Sequence, residues 1–356
     1  MNTRRLLVVL LRHLTGLLPL ATTALLLNLA LMVLGLAQSP NCHLSTLATV
    51  LPIEGQRENL IQRLRRWLKA PTLSWEHYYH PLVRQFLATW QGREIALVMD
   101  RTDLNDRLSL LFVGIAIEQR VVLLAWEVLP YGGTAAETQL GLLKRIQPLL
   151  PDPKVVRITF FGDAEFRAVV LQRFCQAQHW HWQLGVKSDT LYQAEDRLWK
   201  TLRSIPIQRG QRRYLQQIIL TEQHAFGPVN LIINWNTKEA APRYWVLDQR
   251  ADRPAWRRGR KRFWIEPTNR DLKSAGFDLE QSALPDPARL SNLVLAMAVT
   301  WLWMVYVGHW VIRTGRRRLL VADHKRDYSV FRLGRDWVRR ALVLGQPIPI
   351  GFTVGP

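Results

Sequence analysis

The stretch "EIALVMDRTDLNDRLSLLFVGIAIEQRVVLLAWEVLP", Glu94 to Pro130, holds three nearly unbroken apolar runs, "EIALVMD", "LSLLFVGIAI" and "VVLLAWEVLP". Each has the length of a strand, and none alternates polar with apolar, which is the pattern of strands buried on both faces. The links between them are short and polar, and the third run closes at Pro130 and Gly132-Gly133, so the three are predicted to form a meander. Beyond it, Thr134 and Glu137 have the spacing of a capping box ahead of a helical "TQLGLLKRIQPLL". A fourth strand, "VVRITFFGD", ends in Asp163; "FRAVVLQRFCQAQHW" reads as a helix and "WHWQLGVKS" as a fifth strand. The order βββαβαβ predicts an α/β fold whose sheet is parallel in part and covered on both faces. In such sheets sites lie at the carboxyl ends of strands, where Asp100 and Asp163 stand.

Working outward divides the chain into five regions. Residues 1–92 read as helical, residues 93–189 carry the strands and helices just described, and residues 190–250 contain three further short strands broken by "HAFGP" and "KEAAP". Helical patterning resumes near Arg262 within residues 251–312, and residues 313–356 form a basic tail with a last helix near Leu333 to Leu344. In "GQRENLIQRLRRWLKAP", Leu60, Ile61, Leu64, Trp67 and Leu68 recur at helical spacing, with Arg57, Arg63, Arg65, Arg66 and Lys69 largely elsewhere on the cylinder. That basic face suits either plain solvation or contact with phosphates.

Composition narrows the function. The 356 residues include 48 Lys and Arg against 28 Asp and Glu, a net charge of +20, while 48% of the chain is hydrophobic. A disordered polycation is excluded, and the partner is expected to be anionic, either nucleic acid or a lipid surface. The only cysteines, Cys42 and Cys175, sit in no metal-binding or disulfide spacing and suit a reducing cytoplasm. Two segments bear on a membrane. The Leu-rich residues 5–37 resemble a leader but are interrupted by Arg12, His13 and Pro19, and "LSNLVLAMAVTWLWMVYVGHWVI", Leu290 to Ile312, is long enough to span a bilayer. A helix buried all round in a core reads the same way.

The charged stretch "RGRKRFWIEPTNRDLKSAGFDLE", Arg258 to Glu280, places Glu266 among Arg257, Arg258, Arg260, Lys261, Arg262, Arg270 and Lys273. The plain reading is an i,i+4 ion pair between Arg262 and Glu266. At about 100° per residue, however, Glu266 lies about 40° and Lys273 about 20° around a helix from Arg262, so the three share one stripe. Phosphodiester chemistry needs carboxylates gathered from several elements to hold hard cations, and cations to grip the backbone. Asp100, Asp163 and Glu266 with Arg262 and Lys273 meet that need. Asp103, Asp106, Glu165, Asp271 and Glu280 are nearby competitors, and chemistry alone leaves Glu165 open.

The same stretch resembles the Tyr-x2-Arg-x3-Glu-x6-Lys signature of bacterial insertion-sequence transposases of the DDE type, with Arg262, Glu266 and Lys273 in register and Gly259 in place of the Tyr. "DRTD" and "FFGDAEF" resemble that family's two aspartate motifs, and the similarity runs roughly from Leu44 to Leu344. The resemblance implies an RNase H-like catalytic core, a β-rich insertion over 190–250, a helical DNA-binding region over 1–92, a core helix at Leu290 to Ile312 and no membrane. It implies cleavage at transposon ends and strand transfer, with two Mg2+ ions, replaceable by Mn2+, held by the catalytic residues Asp100, Asp163 and Glu266. It also implies DNA contacts from Arg262 and Lys273, with a homodimer on double-stranded DNA and a cytoplasmic, nucleoid location; Arg270 and Arg260 beside the signature, and Arg63 and Arg66 on the basic helical face, are expected to add DNA contacts. Alternatives are a structure-specific nuclease or resolvase on the same fold, and a DNA-binding derivative without catalysis.

Overall fold

The computed structural model describes residues 2–195, 197–282, 284–322, 324 and 328–353. Among the described residues, six helices precede the first strand: α1 (Thr3–Leu17), α2 (Thr23–Gln38), α3 (Leu44–Ala48), α4 (Arg57–Leu68), α5 (Trp75–Tyr78) and α6 (His80–Ala88). The Leu-rich N-terminal stretch therefore folds as two helices, parted near Leu18 to Ala21 and restarted where the Thr22 hydroxyl accepts the Leu25 N–H. In α4 the spaced residues Leu60, Ile61, Leu64, Trp67 and Leu68 are all buried, as their period requires.

Among the described residues, ten strands form one continuous sheet: β1 (Glu94–Asp103), β2 (Leu108–Ile117), β3 (Arg120–Pro130), β4 (Arg157–Gly162), β5 (His181–Val186), β6 (Leu191–Gln193), β7 (Lys200–Thr201), β8 (Arg212–Leu220), β9 (Phe226–Asn234) and β10 (Arg243–Leu247). Their spatial order is 3-2-1-4-5-10-9-8-6-7. β1, β2 and β3 are the antiparallel meander, β1, β4 and β5 run parallel, and β10 returns antiparallel onto β5. The extra strands thus extend the central sheet instead of building a separate one. Helices α7 (Ala136–Ile146) and α8 (Val169–Ala177) make the crossovers that parallel pairing demands.

Two local expectations are corrected. β1 runs on to Asp103, so Asp100 lies inside it, because β2 continues to pair with it from Leu97 to Asp103. The capping box at Thr134 and Glu137 does not form: α7 has Ala135 at its N-cap, and the Thr134 hydroxyl donates instead to Glu165 Oε1 at 2.8 Å.

After β10 the chain stays helical from 253 to 275 while its pitch changes: α9 (Arg253–Gly259), a 3₁₀ segment (Arg260–Trp264), α10 (Ile265–Arg270) and a π turn (Asp271–Ala275). Then comes α11 (Pro287–Arg313), the helix whose composition matches a membrane span; 89% of its apolar window is buried inside the protein. It packs against α2, β3 and the last helix, α12 (Val330–Leu344). Glycines let α11 and α12 touch backbone to backbone: a Cβ at Gly334 would lie 1.9 Å from the Met304 carbonyl oxygen. Alongside, the rings of Trp301 and Phe331 stack with centroids 4.1 Å apart.

Candidate active site

The register of two parallel strands decides where the site forms. β1 and β4 pair from Glu94↔Arg157 to Val98↔Phe161, and two residues beyond that last pair stand Asp100, still on β1, and Asp163, just past the end of β4. Residues two apart on a strand point to the same face, so the two carboxylates emerge side by side where the strands part. Asp163 also caps the 3₁₀ turn Ala164–Phe166, its Oδ1 accepting the Glu165 N–H at 2.8 Å. Gly185 on β5 gives this turn room, since a Cβ there would lie 2.8 Å from the Ala164 nitrogen.

The helical segment 253–275 covers the pair. Its rotation is set by Ile265, Thr268 and Leu272, which are buried. Thr268 Oγ1 accepts the Val121 N–H at 2.7 Å, and Asp271 Oδ2 accepts from Arg120 Nε at 2.6 Å, two ties to the start of β3. With that face fixed, the neighbouring stripe meets the aspartates: Arg262 Nη2 donates to Asp163 Oδ2 at 3.3 Å, and Asn269 Nδ2 donates to Asp100 Oδ2 at 2.8 Å. Arg262 therefore forms no ion pair with Glu266, the plain alternative for that spacing, and its guanidinium turns toward the sheet and Asp163.

Electrostatics follow from this packing. Burial pushes the Asp100 carboxyl up to about 6; the Asn269 hydrogen bond and the Arg262 charge pull it back, and the nearby negative charge of Asp163 adds to the rise. The site thus concentrates two carboxylates against one guanidinium in a partly dry setting. Paired hard oxygen donors that repel each other fit a divalent cation of the Mg2+ type.

The third carboxylate stands differently. Glu266 is exposed in the first turn of α10, and among the described residues no three His, Cys, Asp or Glu side chains lie together closely enough to hold a metal ion. In this structure Glu266 does not join the two aspartates, and the side chain that faces Asp100 is three residues further along, at Asn269. Lys273, in the π turn, pairs with Glu280 at 2.7 Å and not with the aspartates.

Most competing carboxylates are spent elsewhere. Arg101 bridges Asp103 and Glu165, Ser109 donates to Asp103 at 2.7 Å, and Asp271 is held by Arg120; Asp106 is exposed. Arg260 and Arg270 are exposed beside the site, with Arg260 5.5 Å from the Trp256 ring centre. Arg66 is exposed on α4, whereas Arg63 Nε donates to Asn28 Oδ1 at 2.7 Å, tying α4 to α2. In the basic tail, Arg316 lies over Trp310 at 4.5 Å, while Lys325 and Arg326 fall outside the described residues. At Gly259, where the signature has Tyr, a Cβ would lie 2.1 Å from Gln183 Nε2, so the buried Gln183 fills that place. A cleft of about 660 Å³ opens beside Asp163 and Arg262 toward β10, with Trp235, Trp245, Arg203 and Arg243 in its walls.

Sequence reasoning missed Asn269, yet a signal existed. It lies seven residues after Arg262 and three after Glu266, on the same stripe that singled those two out. It also missed Gln183, Thr134 and Arg101, whose partners are distant in sequence.

No protein-family model matches the sequence, and no curated protein matches it as a relative. Among solved structures, the chain is similar to the piggyBac transposase in its synaptic complex with hairpin DNA, at a TM-score of 0.41 and 10% identity. The match covers 85% of this chain, which spans 66% of the piggyBac chain's length.

Proposed function

We propose that the protein is a DNA transposase that cuts phosphodiester bonds at the ends of its own element and joins the freed ends to target DNA. The observation that carries this reading is the in-register approach of Asp100 and Asp163, met by Arg262 from a distant helical segment. Those three residues belong to the motifs that resemble the DDE transposases, and the strand order 3-2-1-4-5 at one end of the sheet accords with an RNase H-like core. Residues 93–189 and 251–312 would form that core, with 190–250 as the insertion.

Asp100 and Asp163, joined by Glu266, would hold Mg2+ or Mn2+. When bound, such ions supply an activated water and neutralise charge on the transferring phosphoryl group. The protein's own groups do the rest. Arg262, already at the carboxylate pair, donates to a non-bridging phosphate oxygen, and Lys273 and Arg270 hold the flanking backbone. Arg260, with Arg63 and Arg66 on α4, extends the grip along double-stranded DNA, in a homodimer that brings two ends together. The chemistry belongs in the cytoplasm at the nucleoid.

The test uses a supercoiled plasmid carrying the coding sequence with its genomic flanks. Purified protein with Mg2+ should cut at the flanks and yield joined products, and Glu266→Gln should stop cutting while leaving DNA binding intact. Cuts without joined product would make the protein a nuclease or resolvase. DNA binding without any cut would make it a silent derivative, and a Glu266→Gln variant that cuts normally would remove that residue from the site.

A further inference from the structure

We infer that Arg262 and a metal ion compete for Asp163, and that a DNA phosphate ends the competition by drawing Arg262 away, so that metal and DNA bind cooperatively. The inference rests on the reading of this site as a phosphodiester-cutting centre. The two oxygens of Asp163 are unequally engaged. Oδ1 accepts the Glu165 N–H at 2.8 Å and belongs to the cap of the 3₁₀ turn. Oδ2 has no tie to its own turn, and Arg262 Nη2 reaches it at 3.3 Å. The Arg262 side chain is 16% exposed and that of Asp163 40%, so solvent reaches the pair mainly from the aspartate. An ion entering there meets the guanidinium already on the oxygen it needs.

Two features make that contact exchangeable. It is a single hydrogen bond, longer than the roughly 2.7–2.9 Å of a well-seated charge-assisted bond, and it lacks the second arm that fixes a bidentate arginine on a carboxylate. Arg262 and Asp163 also line the cleft of about 660 Å³ together with Arg203 and Arg243, two further cations suited to a phosphate backbone. A phosphate in the cleft offers Arg262 a second anion without asking it to cross the site. The guanidinium then goes to the phosphate, and Asp100 and Asp163 share the divalent ion, whose charge offsets the repulsion between neighbouring carboxylates. Asn269 gives Asp100 an uncharged donor, so no like-charge conflict arises at that aspartate. Because binding free energies are linked, whatever DNA adds to metal affinity, metal adds to DNA affinity.

The test follows Mn2+ binding to the full chain by the loss of the free-ion paramagnetic resonance signal, a readout that needs no cutting. Arg262→Met keeps the stem beside Phe263 and removes the charge. It should bind Mn2+ about tenfold more tightly than the wild type, the size of one charge-assisted hydrogen bond. Arg262→Gln makes the same prediction should the methionine variant be unstable. Arg270→Gln removes an exposed charge one residue from Asn269, leaves the Asp163 contact in place, and should change the affinity by less than about twofold. A saturating double-stranded oligonucleotide should tighten Mn2+ binding to the wild type, and tighten it about tenfold less in Arg262→Met. Phosphates that bind the ion directly act on both proteins, whereas release of Arg262 acts on the wild type alone. Unchanged Mn2+ affinity in the Arg262 variants, an equal gain in Arg270→Gln, or the same response to DNA in wild type and variant overturns the competition. A wild type that binds Mn2+ neither alone nor with DNA overturns the reading of the site itself and takes this inference with it.

Discussion

Two helical segments bracket the problem this chain solves. α11 is a regular helix started by Asp286, whose carboxylate accepts the Arg289 N–H, and by Pro287 in its first turn. It is held by apolar contact on nearly every side. The segment 253–275 runs through α, 3₁₀, α and π geometry and is held by directed polar ties to β1, β3 and the β4 turn. Burial of apolar surface is non-directional, so it leaves a helix free to keep its best pitch. Hydrogen bonds weaken steeply off-axis, so a helix that must place four polar side chains at fixed points gives up regular pitch instead.

The contrast can be broken first at the close crossing. Gly334→Ala puts a methyl group against the Met304 carbonyl, a backbone atom that cannot step aside, and should lower the unfolding free energy by about 3 kcal/mol or more in urea titrations. Asp100→Asn should act in the opposite sense. The wild-type carboxyl is raised from 3.8 to about 6, so the folded state binds a proton that the unfolded state has lost between those values. Its ionisation therefore carries a stability cost that is fully present above about pH 6 and absent below about pH 4. The variant should match the wild type in acid, exceed it by about 3 kcal/mol above the raised value, and have no cleavage activity. Added Mg2+ should narrow that gap by stabilising the wild type alone.

Thr268→Val tests the polar clamp with little change of shape. It strips the Val121 N–H of its acceptor in a buried position, which should cost about 1–3 kcal/mol and slow cutting by letting the helical segment rotate. The smallest effect belongs to Lys273→Gln. Its pair with Glu280 is partly exposed and screened by water, so stability should move by less than about 1 kcal/mol. DNA affinity should nevertheless fall, and the slope of its salt dependence should drop by about one, the signature of a lost phosphate contact.

Much of this architecture was legible because its causes are local. The strands β1 to β5 follow from apolar runs of strand length, and α4 and α11 from periodicity and composition. The aspartates could be nominated because they close such runs. Other features resisted. Thr134 and Glu137 have a capping-box spacing, yet the Thr134 hydroxyl serves Glu165, a residue 31 positions away. Arg262 and Glu266 have an ion-pair spacing, yet Arg262 serves Asp163, 99 positions away. In each case a local pattern offered a weak, exposed interaction, and a distant partner offered a stronger one in a drier place.

By itself, the sequence determined which segments are strands and helices, that α11 is apolar enough to need burial, and that the chain carries an excess of cations suited to an anionic partner. Only the tertiary structure decided that Val98 pairs with Phe161, and hence that Asp100 meets Asp163; that Arg262 and Asn269 close over them; and that Glu266 stays exposed. The physical reason is range. Hydrophobic period and turn chemistry act within a few residues, whereas strand register and the choice of partner for a buried polar group are settled by competition among residues far apart in the chain.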